Sequence, residues 1–345
     1  MSLIESLVNN ISDANVKQAV IDFFNNDVNR YVRYMLTVSS SEDKCNPRID
    51  KEFTQITDEM MEKGKKLESL IDRKVLVKKI KGAFRTLVGG GVYQGIIVKR
   101  GFEKPRGYPG DYKTLEWIYN NIPLSKGVGL YSDRYFLNNE YAAAVRNRKD
   151  KMGEILAGFI EHSNSETIKI LNIACGSCKE IKELFVDKKL KTAKKIEFNL
   201  VDQDEEALEF CRESLKKDPK ITYNFLQHNV MDYVKNENQY SEILGKQDMV
   251  YSIGLADYFP DRVLKSLLLF CFNLLKPKGL LIIAHKDIDK CNPAIPDWFC
   301  DWTFYPRNEN ALLNLINNSG IKDSKITVER EFSKIIFFIT ITKTL

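Results

Sequence analysis

The amino-acid sequence predicts an α/β protein: a doubly wound, mostly parallel sheet preceded by a helical region. Three observations predict it. From residue 168 onward, short apolar runs alternate with amphipathic helical segments, the texture of a parallel sheet covered on both faces. The chain then closes on two strand-like runs a few residues apart, "KITVEREF" and "KIIFFITITK", which pair most simply as a hairpin and give the sheet an antiparallel edge. Residues 1 to about 125 carry apolar positions at helical spacing, such as Val16, Val20, Phe23 and Phe24, then Met60, Met61, Leu67 and Leu70, without a convincing strand pair.

The elements follow in order. The helical region ends in a passage rich in Gly and Pro, "VGGGVYQGIIVKRGFEKPRGYPGDY" (88–112). Its "VGGGV" lacks the Lys-Ser/Thr of a phosphate-binding loop and reads as a flexible joint. Asp111 stands as the cap of a helix "YKTLEWIYNN", and a longer helix is expected over 135–162. Strands are expected at 168–174, 196–201, 221–227, 248–253 and 279–284, the last after a helix and a Pro-Gly turn in "NLLKPKGLLII". The division that results is a helical lid and acceptor-pocket domain over 1–130 and a ligand-binding α/β domain over 131–345.

Composition narrows the function. A chain of 345 residues with 43% hydrophobic content has ample core. Lys and Arg exceed Asp and Glu by 52 to 47, scattered among acidic neighbours, so no basic stripe marks a nucleic-acid partner. The N-terminus lacks the basic start and apolar core of a signal peptide. The most apolar stretch, "SLLLFCFNLL" (266–275), is roughly half a membrane span. The expectation is a cytoplasmic protein without a membrane span. Seven cysteines in no regular framework and three separate histidines offer no second CxxC to complete a zinc site, and no metal is expected.

The chemistry concentrates in "ILNIACGSCKE" (171–181). Cys175-Gly-Ser-Cys178 has the form of a CxxC redox pair opening a helix. The same letters form a small-residue turn between a strand and a helix, where free backbone N–H groups and the positive end of the helix dipole favour an anionic ligand group. Ser177 and Glu180 have capping-box spacing and place the helix start at 177 or 178, and Gly176 lets a ligand approach the backbone. Asp202 ends the second strand, where a carboxylate accepts hydrogen bonds from ribose hydroxyls. Asn229 ends the third strand and offers its amide to an adenine edge; Ser252 and Gly254 end the fourth.

Strand, small turn, strand ending in Asp, strand ending in Asn, then "LLKPKG": this order resembles the class I S-adenosylmethionine-dependent methyltransferases over roughly residues 150–345. "FEKPRGYPGDYKTLEWIY" (102–119), "AAAVRNR" (142–148), "YSIGLADYF" (251–259) and "DWTFYPRNENAL" (301–312) further resemble the bacterial methyltransferases of extracellular-factor (3-hydroxypalmitic acid methyl ester) biosynthesis. The resemblance implies a Rossmann-like seven-stranded sheet with an antiparallel last strand. It also implies S-adenosylmethionine as methyl donor and S-adenosylhomocysteine as product. Ala174, Cys175 and Gly176 match the family's glycine-rich turn, with Ala174 and Cys178 standing where glycines are usual. Asp202 matches the ribose acid, and Asn229 replaces a usual Asp. Ser177, Gln203, Val230, Ser252, Gly254 and Arg146 complete the expected cofactor set; Arg146 and Arg148, two apart on one helix, point in different directions, so one of the two is expected to be solvated and the other to reach the methionine carboxylate.

On the acceptor side, Asp257 and Tyr258 follow the fourth strand and His285 ends the fifth. A general base for a hydroxyl acceptor would be His285 or Asp257, whereas a carboxylate acceptor needs none. Tyr305 and Arg307 are candidates to hold such a carboxylate. Arg106, Tyr108 and Asp111 form a candidate lid. The expected partner is a small-molecule or lipid-like acceptor, a fatty-acid carboxyl or hydroxyl. The rivals are a non-catalytic S-adenosylmethionine-binding regulator, an NAD-dependent oxidoreductase, for which only Gly176 of a G-x-G-x-x-G survives, and a CxxC redox enzyme.

Overall fold

Near-continuous apolar runs become the inner strands of one sheet, as expected of strands buried on both faces. The computed structural model describes residues 3–38, 45–186, 190–216 and 218–344. Its strands are β1 (Thr167–Ile173), β2 (Lys195–Asp202), β3 (Ile221–Gln227), β4 (Gln247–Ser252), β5 (Leu275–Lys286), β6 (Ser324–Arg330) and β7 (Ile336–Lys343). They form a seven-stranded sheet in the order β3-β2-β1-β4-β5-β7-β6. Neighbours from β3 through to β5 pair in parallel, while β7 is antiparallel to both β5 and β6. The Rossmann-like sheet with its C-terminal hairpin is therefore present. β6 alternates exposed and half-buried positions, as one-sided packing at an edge requires.

Two elements differ from the sequence reading. The expected Pro-Gly turn is absorbed into β5, which begins at Leu275. Its register against β4 jumps from Gln247↔Leu275 to Met249↔Leu280, with Lys278 at φ 65° inside the irregularity. The expected 135–162 helix is two helices, Val128–Asn138 and Glu140–His162, separated at Asn139 by an extended backbone (ψ 161°).

The chain divides into two compact units. The first comprises Met1–Gly110, Asn120–Asn139 and Asn292–Thr303. Its core surrounds Trp298, whose ring meets those of Phe23 and Phe84 edge-on at 5.7 and 5.3 Å. Lys81, nearly buried, donates to Asp297 at 2.6 Å and lies 2.8 Å from Glu68. The carboxylate of Asp133, fully buried, accepts from the backbone N–H groups of Ile97, Leu124 and Ser125 and from the Ser125 hydroxyl. A single boundary at 130 does not describe this unit: Asn292–Thr303 joins it because Trp298 and Phe299 have no exposed surface, and aromatic side chains of that size must be enclosed.

The second unit comprises Asp111–Tyr119, Glu140–Cys291 and Phe304–Leu345 and contains the whole sheet. Strand order reverses between β1 and β4, whose C-terminal ends therefore bound the crevice in which open α/β sheets bind ligands. Among the described residues no helix is long and apolar enough to cross a membrane.

Candidate functional site

β1 delivers the chain into the turn Ala174–Cys178, and three of these five residues have left-handed backbone: Ala174 (φ 55°), Gly176 (φ 55°) and Cys178 (φ 50°). A left-handed conformation costs a side-chain-bearing residue roughly 1–2 kcal/mol, so Ala174 and Cys178 hold glycine conformations without being glycine. A Cβ at Gly176 would meet only Leu115 Cδ1, at 3.8 Å. The space above the peptide is open.

The turn is held from outside its own strand. Asp202, at the end of β2, accepts the Gly176 N–H at 2.9 Å through Oδ2 and the Asp204 N–H at 3.0 Å through Oδ1. Burial raises its pKa above the ordinary carboxylate value, against the lowering effect of those two bonds. Each oxygen keeps a further lone pair for a hydroxyl donor. The Gly176 carbonyl lies 3.2 Å from Cys211 Sγ.

The capping box does not form. The helix begins at Lys179 with Cys178 as its N-cap and no side-chain cap bond. The buried Ser177 hydroxyl has no hydrogen-bond partner among the described residues, because the left-handed Cys178 turns the backbone out of capping geometry. Glu180 points into the sheet instead, accepting from Tyr251 at 2.8 Å and Asn172 at 3.2 Å. Burial raises its pKa.

Of the two arginines in "AAAVRNR", Arg146 is half-buried and donates to the Ile118 carbonyl at 3.4 Å. Arg148 is the buried one, 4% exposed. It hydrogen-bonds Tyr119, stands 3.6 Å from where a Cβ on Gly254 would be, and its Nε has no partner among the described residues. Helical periodicity carried this signal: Arg148 lies on the stripe of Ala144, Met152, Leu156 and Ile160 that faces the core.

Gln203 is exposed and Val230 half-buried at the β2 and β3 ends. Asn229 caps the helix Val230–Lys235 by accepting from Met231 N, which leaves its amide N–H₂ as the group facing elsewhere. Ser252 donates to the Ile173 carbonyl at 2.8 Å and so ties the ends of β1 and β4 together.

The acceptor-side candidates form one saturated cluster. Asp257 accepts from Lys286 N at 3.0 Å and from Lys286 Nζ at 2.8 Å. Although burial opposes its ionisation, the adjacent Lys286 ammonium, with the hydrogen bonds from Lys286, holds its carboxyl well below the ordinary range. His285, 1% exposed, places Nδ1 2.7 Å from the Lys286 carbonyl and Nε2 3.3 Å from Arg307 Nη1. Since Arg307 can only donate, Nε2 accepts and Nδ1 carries the proton. Burial lowers the His285 pKa, so the ring is neutral. Arg307 also donates to Asp261 and to the Phe259 and Ala256 carbonyls.

Beside this cluster Lys286 Nζ lies 4.0 Å from the centre of the Phe304 ring. Phe304 in turn stacks on Tyr141 and meets Tyr258 at 5.6 Å. Tyr305 is 46% exposed, its backbone N–H donating to the Asp257 carbonyl. Of the lid candidates, Asp111 caps its helix by accepting from Thr114 N and Oγ1. Arg106 and Tyr108 belong to the first unit and Asp111 to the second.

The residues fit an adenosyl sulfonium amino acid: an acid at the β2 end with lone pairs for ribose hydroxyls, an open glycine, and a buried arginine with a donor to spare. Fold and turn define a class I methyltransferase arrangement. The family model described as "Methyltransferase domain" matches residues 164–321, a little under half of the chain, the stretch that holds the turn, Asp202 and the ends of β4 and β5. Among solved structures it is similar to a possible exported protein from Bordetella parapertussis, at 14% identity, over 97% of this chain and 100% of that one, with a TM-score of 0.51. Magnesium protoporphyrin IX methyltransferase from Synechocystis with bound SAH aligns at 9% identity over 60% of this chain and 88% of that one, TM-score 0.44. A duf574 family protein from Streptomyces avermitilis aligns at 10% identity over 66% and 96%, TM-score 0.49. No curated protein matches the chain.

Proposed function

We propose that the chain is a methyltransferase acting on a small or lipid-like acceptor that presents a carboxyl group, as a fatty acid does. The observation that carries the proposal is the Gly176 peptide, open above and bonded by Asp202, with Arg148 buried nearby. The donor supplies an activated methyl on a positive sulfur, transferred in line to the acceptor oxygen. In our reading Asp202 receives the ribose hydroxyls, the turn from Ala174 to Ser177 lies along the amino-acid portion, and Arg148 rather than Arg146 takes its carboxylate. Gln203, Asn229 and Val230 flank the adenine, and Ser252 and Gly254 floor the crevice.

A carboxyl acceptor is favoured over a hydroxyl by the state of the cluster. Asp257 and His285 have their polar atoms engaged and stand ready to shape the crevice rather than to take a proton. An ionised carboxylate is already the nucleophile and needs only positioning, which supplies roughly 7–11 kcal/mol in favourable cases. Lys286 and Arg148 contribute positive charge at the strand ends, and Tyr141, Tyr258 and Phe304 contribute the apolar wall. The same engagement favours one second reading, a donor-binding regulator without catalysis. All seven cysteines are free thiols, which supports a reducing compartment such as the cytoplasm.

Calorimetric titration with S-adenosylhomocysteine, beside NAD, tests the reading. Micromolar binding of the first alone, lost in Asp202→Ala, is expected. Binding of NAD in its place, or no binding at all, would overturn it. Transfer of labelled methyl from donor to fatty acids then separates the enzyme from the regulator.

A further inference from the structure

The CxxC of the donor turn has a third partner that the sequence did not reveal. Cys211, on the helix Glu205–Ser214 that follows β2, brings its sulfur to Cys175 and Cys178, and the three Sγ atoms all lie within 4.8 Å of one another. All three are free and buried, at 7%, 1% and 0% exposure. A fourth donor is already there: the Gly176 carbonyl oxygen lies 3.2 Å from Cys211 Sγ and 3.9 Å from Cys175 Sγ.

We propose that Cys175, Cys178, Cys211 and the Gly176 carbonyl form a binding site for one thiophilic divalent cation of the zinc kind. Soft thiolates select such ions. With Zn–S near 2.3 Å and Zn–O near 2.1 Å, a tetrahedral site separates its sulfurs by about 3.8 Å and sulfur from oxygen by about 3.6 Å. The observed sulfur-to-oxygen distances bracket that value, and small side-chain rotations bring the sulfurs to theirs. The carbonyl takes the place of the water that an enclosed site cannot admit. The ion would replace thiol protons, which leave to solvent as the thiolates bind. It would join β1's turn to the helix after β2 through a peptide whose other side faces the donor. The site is structural and does not depend on the donor reading.

Reduced, chelator-treated full-length protein titrated with Co²⁺ provides the test. One Co²⁺ per chain is expected, with the visible bands of a tetrahedral site and a thiolate charge-transfer band, both displaced by Zn²⁺. Compared with the chelator-treated protein labelled under the same conditions for long enough that its buried thiols react, bound Zn²⁺ should slow labelling of Cys175, Cys178 and Cys211 by a thiol reagent, read by mass spectrometry, while exposed Cys45 reacts equally in both. Cys211→Ser should weaken binding at least about 100-fold, since it removes one of three anionic ligands. Cys271→Ser, another buried thiol, should leave it unchanged. No Co²⁺ binding by the reduced wild type would overturn the proposal, as would protection of other cysteines or a Cys211→Ser variant that binds equally well. Because protection is read on the wild type, the test holds even where the Cys211 variant does not fold.

Discussion

The turn after β1 and the cluster at the ends of β4 and β5 lie in the same unit and treat buried polar atoms in opposite ways. Around the turn, Ser177 Oγ and Arg148 Nε have no partner among the described residues. In the cluster, Asp257, His285, Lys286 and Arg307 answer one another at 2.6–3.4 Å with Asp261 and nearby carbonyls. Buried polar groups are normally satisfied. The first region therefore leaves buried polar atoms without a protein partner among the described residues, and the second satisfies its own.

The largest effect should come from breaking the finished region. Asp257→Asn leaves the Lys286 ammonium buried opposite a neutral amide, and loss of about 3–5 kcal/mol is expected, measured by denaturant unfolding. A loss under about 1 kcal/mol would mean the cluster is wetter than its geometry. Ser177→Ala, by contrast, breaks no hydrogen bond and should leave the unfolding midpoint in place.

Arg148→Met should weaken S-adenosylhomocysteine binding by roughly 1.5–3 kcal/mol, the worth of a hydrogen bond to a charged group, about 10- to 100-fold by calorimetry. The same change at Arg146 should do much less. Equal effects would remove the distinction between the two arginines.

Smaller still, Ala174→Gly should raise stability by about 0.5–1 kcal/mol. It relieves a left-handed alanine at some cost in unfolded-chain entropy. Thermal unfolding reads it directly, and a lower midpoint would show that the Ala174 methyl is needed for packing.

The last effect is one of pH. The folded His285 pKa lies below the ordinary imidazole value of about 6.5. As pH falls through that window the unfolded chain takes up a proton that the folded ring refuses. Its stabilising contribution is thus present above about pH 6.5 and is lost towards the lower folded pKa. His285→Phe should flatten the stability profile between those limits, and an unchanged slope would place the sensitivity elsewhere.

Much of this was legible in the sequence, for identifiable reasons. Sheet strands announce themselves as apolar runs, and β1, β2, β4 and the C-terminal hairpin fell where such runs stand. The position of Asp202 was legible because the end of a strand is a fixed place, and β2 does end there. The segment Asn292–Thr303 was not, since nothing in its letters says which core takes Trp298. Nor was Cys211: its approach to the CxxC depends on where a helix packs after β2, and helix packing leaves no spacing in the chain. The capping box misled because Ser177 and Glu180 have the right interval, yet a left-handed residue between them redirects both side chains.

Asp202 carries a further consequence. Both of its oxygens are already bonded to backbone N–H groups, so its side chain has one orientation before any ligand arrives. Under the proposed reading, a ribose docking there would not have to freeze a swinging carboxylate, a cost of about 0.5–1.5 kcal/mol for a free side chain. The chain met that cost once, when it folded, and the carboxylate is aimed before any ligand is present.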